Sequence, residues 1–129
     1  MRRAMFAYVV CIALLAGCSD SGSTGSSESV FEGRNFRIEP ATATETTTIR
    51  FMLELRIVPE RLIFTTLSVD GNLLLTPSST KVCPDWCDTV MFSTTAGSLF
   101  NEGAHRAVIL VIDAQNNIAA DLTAMFTVN

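Results

Sequence analysis

Hydrophobic and polar residues alternate with a period of two over most of the chain after residue 29. The clearest run covers residues 48–57, where every second position is apolar: Ile49, Phe51, Leu53, Leu55 and Ile57. The positions between them are mostly polar, and an apolar face opposed to a polar one is what a half-buried β-strand requires. We therefore predict a strand over this run, with its apolar side in a core.

Six further segments show strand patterns. Phe36 and Ile38 indicate a short strand that ends before Pro40, and the others cover residues 67–69, 73–76, 89–94, 104–113 and 122–128. Asp70-Gly71-Asn72 supplies a turn between two of them, because these residue types tolerate positive φ. No segment beyond residue 17 holds a helical 3.6-residue stripe over three turns. Seven short strands with turns between them predict an all-β protein, an antiparallel sandwich.

The C-terminal part of the chain resembles the closing hairpin of bacterial immunoglobulin-like domains. Gly103-Ala104-His105 matches their Gly-x-His, residues 113–117 match their Asp-x-x-Gly-Asn turn, and Phe126-Thr127-Val128 matches their last strand. Residues 68–71 are similar to their mid-domain strand and turn. Asn116 replaces the usual glycine, and we expect the turn to survive because asparagine tolerates the left-handed conformation. The resemblance covers roughly residues 34–129 and implies an immunoglobulin-like β-sandwich, a fold that serves many functions.

The N-terminal residues predict an anchor instead of a folded element. Arg2 and Arg3 precede an apolar stretch at residues 4–16. A helix that spans a bilayer needs about 20 residues, so this shorter stretch is typical of a secretory signal peptide. Leu15-Ala16-Gly17-Cys18 resembles the bacterial lipobox, which implies cleavage before Cys18 and its covalent attachment to lipid. An ordinary signal peptide that contains a cysteine near its end is the alternative, and a retained single-pass anchor is a weaker one.

Three regions follow from these patterns: a signal peptide at residues 1–17, the lipidated Cys18 with a Gly/Ser-rich tether at residues 18–29, and a domain at residues 30–129. The tether has no apolar residue after Cys18 and should behave as a flexible coil. Lipid on Cys18 would hold the protein in the bacterial cell envelope. Ser19 stands where aspartate favours retention in the inner membrane, so we expect the outer membrane, facing the periplasm or the cell surface.

After removal of the signal peptide the chain keeps 7 basic and 13 acidic residues, for a net charge of −6. Binding to nucleic acid needs clustered lysine and arginine, so we expect no nucleic-acid partner. A polybasic contact with lipid headgroups is equally unsupported.

Cys83-Pro84-Asp85-Trp86-Cys87 is the most distinctive local motif. In an oxidising compartment we expect Cys83 and Cys87 to form a structural disulfide. A redox pair normally has Cys-x-x-Cys spacing at a helix start and a metal site needs further ligands, so both alternatives are weaker. Trp86, beside Asp85, either packs back on the sandwich or stands exposed to recognise a ligand.

No motif for catalysis is present, and we expect no enzymatic activity, no cofactor and no metal. His105 is the only histidine, and a lone histidine without a catalytic motif is weak evidence for catalysis. The resemblance to immunoglobulin-like domains places it at a strand start, which implies that its imidazole satisfies backbone groups of a loop. Asp113 and Asn117 are expected to form a turn. Calcium at these two residues, or at Asp70 and Asn72, lacks an Asp-x-Asp ligand run.

The predicted strand at residues 104–113 is apolar on both sides. Its inward set by the family register is His105, Ala107, Ile109 and Val111. The opposite side carries Arg106, Val108, Leu110 and Ile112, of which three are large and apolar. A strand apolar on both faces is normally covered on both. Either neighbouring strands shield these side chains, or β-propensity alone selected them, or they form a docking surface for another protein or a second copy.

The sequence thus predicts a lipid-anchored, non-enzymatic envelope protein whose domain binds or supports another macromolecule. The alternative is a glycan or small-ligand binder that uses Trp86 and the neighbouring loops.

Overall fold

The computed structural model describes residues 29–75 and 78–129. The predicted signal peptide, the lipidated Cys18, the tether up to residue 28 and Thr76 lie outside the described residues. Within them, no helix is long and apolar enough to cross a membrane.

Seven strands and one four-residue helix form the described chain. They are β1 (Val30–Glu39), β2 (Thr42–Ala43), β3 (Thr48–Val69), β4 (Asn72–Leu75), β5 (Ser78–Thr95), α1 (Ala96–Leu99), β6 (Gly103–Asp113) and β7 (Ile118–Val128). The all-β prediction is confirmed. Several boundaries were wrong. The segments predicted at residues 48–57 and 67–69 are one strand, and the segment at 89–94 is only the end of β5. Strands β1 and β7 begin earlier than predicted, and β2 was not predicted.

All seven strands are hydrogen-bonded into one continuous sheet. Strand β3 is long because it runs through both layers of the sandwich, which we call the β1–β3–β5 sheet and the β3–β6–β7 sheet. Its first half pairs antiparallel with β1 on one side and with the second half of β5 on the other. Its second half pairs with β6, β4 and the start of β5. The pairing with β5 shifts between Ile57 and Arg61, around Pro59, which has no N–H to donate to a ladder. β6 pairs with β7, and β2 extends the end of β7 in parallel.

The core lies between the two sheets and contains the alternating residues predicted from the sequence. Side chains of β3 that the period of two placed inward are fully buried: Ile49, Phe51, Leu53, Leu55 and Ile57. The ring centroids of Phe51 in the first sheet and Phe126 in β7 lie 5.7 Å apart with an edge-to-face angle of 84°. Such pairs stabilise a core beyond their buried area, and this one joins the two sheets directly.

The predicted turns form at the predicted places. Asp70 and Gly71 have φ values of 51° and 81° and connect β3 to β4 as a two-residue loop between paired Val69 and Asn72. Asn116 has φ of 64°, so asparagine does take the left-handed position expected of glycine. In β6 the inward register is confirmed, since Ala107, Ile109 and Val111 are fully buried.

Candidate functional site

His105 lies at one end of the sandwich and connects two loops. Its Nδ1 is 2.6 Å from Oδ2 of Asp70 in the β3–β4 turn, and its Nε2 is 2.7 Å from the carbonyl oxygen of Asn101. The ring also stacks on Phe126, with centroids 5.1 Å apart. Both partners of the imidazole are acceptors, so both ring nitrogens donate only when the ring is protonated. The histidine therefore satisfies loop groups, as predicted from its place at a strand start.

The pKa values of His105 and Asp70 are both shifted by their contact. Burial favours the neutral imidazole, but the hydrogen bonds to Asp70 and to the Asn101 carbonyl outweigh it and raise the pKa of His105. The backbone N–H of Arg106 donates to Asp70 and, with His105, lowers the pKa of that carboxyl. Both ring nitrogens are therefore engaged, by Asp70 and by the Asn101 carbonyl, which leaves the imidazole no free nitrogen to act as a base on a substrate.

A shallow cleft adjoins this pair. Its lining residues are Val69, Asp70, Asn72, Leu74, Leu99, Phe100, Asn101 and His105. Its volume of about 160 Å³ is below the roughly 300–1,000 Å³ of ordinary ligand pockets. The cleft offers room for a very small polar molecule and no more.

Asp113 holds the opposite end of the sandwich together. Its side chain is 1% exposed and accepts hydrogen bonds from the backbone N–H groups of Gln115 and Asn117, from Asn117 Nδ2, and from Arg61 Nη1 at 2.9 Å. Burial opposes the charged carboxylate, but these donors outweigh it and lower the pKa of Asp113. The turn-forming role predicted for Asp113 and Asn117 is present, and the partner that sequence reasoning missed is Arg61.

Cys83 and Cys87 are joined by a disulfide, with Cα atoms 5.9 Å apart. The loop between them forms a bulge where β5 pairs with β3, because Cys87 pairs with Leu55 while Cys83 pairs with Ile57. Asp85 is exposed at this bulge.

Trp86 is half-buried. Its side chain is therefore neither fully packed on the sandwich nor fully exposed, the two alternatives that the sequence left open. The guanidinium carbon of Arg34 lies 3.8 Å from the centroid of the indole, a cation–π contact that covers one face of the ring. Arg34 is itself held by Glu54, with Nε and Oε2 2.6 Å apart. A sugar could stack on that face of Trp86 only after Arg34 had moved.

The outer side of β6 is the remaining candidate. Val108, Leu110 and Ile112 point away from the core and are each half-buried, so neighbouring strands shield part of each side chain. Ile112 pairs with Phe64 in β3 and Ile118 in β7, and directly paired residues share a face of a sheet. Phe64 and Ile118 are 38% and 59% exposed.

We call this surface the outer apolar face. Its members are Leu62, Phe64, Val108, Leu110, Ile112 and Ile118. Sequence reasoning found three of them. Leu62 and Phe64 could have been found from their alternation with Ile63, but only the pairing of β3 with β6 shows that they extend the same surface.

No group of three or more His, Cys, Asp or Glu residues within 29–75 and 78–129 is arranged to hold a metal ion. Of the residues considered for calcium, Asp70 and Asp113 already bond to His105 and Arg61.

Fold and site together define the described chain as an immunoglobulin-like β-sandwich domain. Among solved structures it is similar to the CARDB domain of a Pyrococcus furiosus protein, which was solved in complex with di-metal ions. The TM-score is 0.52 at 14% identity, over 80% of this chain and 97% of that one.

It is also similar to a part of the alkylpurine DNA glycosylase AlkC of Pseudomonas fluorescens, bound to DNA containing an abasic site analog. That TM-score is 0.51 at 12% identity, over 77% of this chain but only 30% of the glycosylase. At such identities the likenesses show the fold alone. No protein-family model and no curated protein matches the sequence.

Proposed function

We propose that this chain is a lipid-anchored, non-enzymatic protein of the bacterial cell envelope, whose immunoglobulin-like domain binds another macromolecule. The lipobox-like Leu15-Ala16-Gly17-Cys18 supports the anchor. The likeness to a CARDB domain supports a binding or accessory module at the level of the fold.

The outer apolar face is the observation that carries the binding role. An antiparallel sheet that has one face on the core usually presents polar residues on its other face. Here the row formed by Phe64, Ile112 and Ile118 is apolar across three adjacent strands. Contiguous exposed apolar surface of this kind marks interaction sites in folded proteins.

The charge of the domain narrows the class of partner. The mature chain has net charge −6, which leaves no excess of lysine and arginine to attract nucleic acid. An apolar surface that meets a basic residue of β6, Arg106, at its far end suits a protein surface of matching character.

Charging the outer apolar face should remove the partner without unfolding the domain. Leu110→Glu places a carboxylate at its centre, where docking would bury it without a counter-ion. The full lipoprotein and the variant would each be recovered from membranes by mild detergent, after chemical cross-linking. We expect the variant to keep its circular dichroism spectrum and to lose the proteins or the second copy recovered with the wild type.

Val90→Glu is the matched control, because Val90 is 47% exposed and lies on β5 in the other sheet. It adds the same charge to an apolar position and should keep every partner. Recovery of an unchanged set of partners with folded Leu110→Glu would refute the binding role of this face. Cys18→Ser tests the anchor separately, since that variant should leave the membrane fraction.

A further inference from the structure

The tether joins the domain at the end where the outer apolar face is most exposed. Ser29, the residue before β1, has its Oγ 2.8 Å from Arg61 Nη2, and Arg61 also bonds Asp113. Asp113 directly follows Ile112, the centre of the row that includes Phe64 and Ile118. The exposed part of the face therefore begins where the chain leaves toward Cys18.

The length of the tether sets how far this face stands from the lipid. Residues 19–29 are Gly/Ser-rich, and a sequence of this composition and length has an expected r.m.s. span of roughly 17–20 Å. A domain held by a tether of that reach keeps the nearest part of the outer apolar face within a short distance of the membrane. Any occupant of the face must be present in that layer.

The lipid surface itself is a poor occupant. The apolar side chains lie along the flat side of a sheet, whereas the end of the domain nearest the tether carries Glu60 and Asn117, both exposed. Asp121 borders the face on β7 and is exposed too. An acidic chain without a basic cluster gains nothing from anionic headgroups.

A second copy of the chain fits the outer apolar face in two respects: which side chains meet across the interface, and the end at which the two tethers leave. A two-fold axis along β6 places β7 of one copy opposite β3 of the other, because these strands flank β6 on its two sides. Ile118 then faces Phe64 of the second copy, Leu110 faces its own counterpart, and Asp121 faces uncharged Thr66. Arg106 is the exception, since it meets its own counterpart, but it lies at the far end of β6.

The direction of the tethers gives the second argument. A two-fold axis parallel to the strands leaves both copies with their tethers at the same end, so both lipids can enter the same membrane. Confinement of the copies to one surface raises their effective concentration and favours a modest apolar interface.

We propose that the outer apolar face packs against the same face of a second copy anchored in the same membrane, an inference that rests on the proposed function. The dimer is isologous, with sheets packed face to face at about 10 Å as in sandwich cores. Leu110 and Ile112 lie at its centre.

Site-directed cross-linking of the full lipoprotein in purified membranes tests this geometry. Leu110→Cys and Ile112→Cys each place one thiol of each copy beside the two-fold axis. Packed sheets lie about 10 Å apart, a distance that a short bis-maleimide can bridge. Val90→Cys, on the other sheet, is the control for random collision at the same surface density. We expect roughly tenfold more cross-linked homodimer from the two axis variants than from the control, a ratio that needs about 1.4 kcal/mol of contact free energy.

Four other outcomes of the cross-linking experiment would contradict the dimer or the anchor. Equal homodimer yields from all three variants would overturn the dimer. Cross-links from Leu110→Cys to a different protein would also overturn it, while leaving the proposed binding role of the face intact. A blue-shifted environment-sensitive maleimide probe at position 110, seen in membranes but lost in detergent, would assign the face to lipid and overturn the dimer. Failure of the protein to sediment with membranes would refute the anchor and the proposed function with it.

Discussion

The two sheets of the sandwich present opposite surfaces to solvent, although β3 belongs to both. The outer side of the β1–β3–β5 sheet carries ion pairs, among them Arg34 with Glu54 at 2.6 Å and Arg37 with Asp88 at 2.8 Å. Within the described residues, the outer side of the β3–β6–β7 sheet has no ion pair, and the outward side chains of its central strand β6 from Val108 to Ile112 are apolar. The charged face shows that this fold does not require an apolar exterior, so the apolar face needs an explanation of its own.

The comparison is sharpest between neighbours on β6 that point to opposite sides. Ile109 is fully buried in the core, and Ile109→Ala should lower the free energy of unfolding by about 2–5 kcal/mol. Leu110 lies on the outer apolar face and is half-buried, so Leu110→Ala should cost about 1 kcal/mol. Urea denaturation of the mature chain carrying Cys18→Ser measures both. Equal losses would mean that the outer face is covered like the core and is not a surface.

Loss of the buried carboxylate of Asp113 should also destabilise the domain clearly. Asp113→Ala removes the acceptor of Arg61 Nη1 and of the backbone N–H groups of Gln115 and Asn117, and hydrogen bonds to a charged group contribute more than neutral ones. Asp121→Ala, an exposed carboxylate on the apolar sheet, is the control and should change the melting temperature little. Thermal unfolding followed by circular dichroism separates the two, and similar melting temperatures would contradict the role given to Asp113.

The His105–Asp70 pair predicts a smaller effect that depends on pH. Because the pKa of His105 is raised in the folded protein, its contribution to stability is complete below the pKa of about 6.5 of an unperturbed histidine. That contribution is lost as the pH rises through the raised pKa. We expect the free energy of unfolding of the wild type to fall as the pH rises above about 6.5, since His105 is the only histidine.

His105→Gln supplies the control for this pH dependence. Glutamine can still donate to a loop acceptor but cannot become charged, so the variant should show a nearly flat stability over the same pH interval. A slope that persists in His105→Gln would assign the effect to another group.

The smallest effect should come from the charged face. Asp88 is 49% exposed where it pairs with Arg37, and exposed ion pairs typically contribute at most about 1 kcal/mol. Asp88→Ala should therefore cost little, and less still at high salt because screening weakens such pairs. Urea denaturation at low and high ionic strength measures the difference. A loss as large as that of Ile109→Ala would show that the charged face is structural and would undo the contrast between the two sheets.

Local patterns in the sequence determined much of this protein. The period of two assigned the buried side of β3 and of β6, because alternate side chains of a strand point to opposite faces. Asp70-Gly71 and Asn116 marked turns, because few residue types accept positive φ. His105 was expected to satisfy a loop, and it bonds the carbonyl of Asn101.

Only the tertiary structure decided which strands are neighbours, because pairing joins residues far apart in the chain and leaves no local signal. It extended the outer apolar face from Ile112 to Phe64 and Ile118, which lie 48 and 6 positions away in the sequence. It also placed Arg34 over Trp86 and Arg61 on Asp113, contacts that no spacing rule predicts. The alternation of the sequence thus specified the faces of each strand, while the register between strands decided what those faces meet.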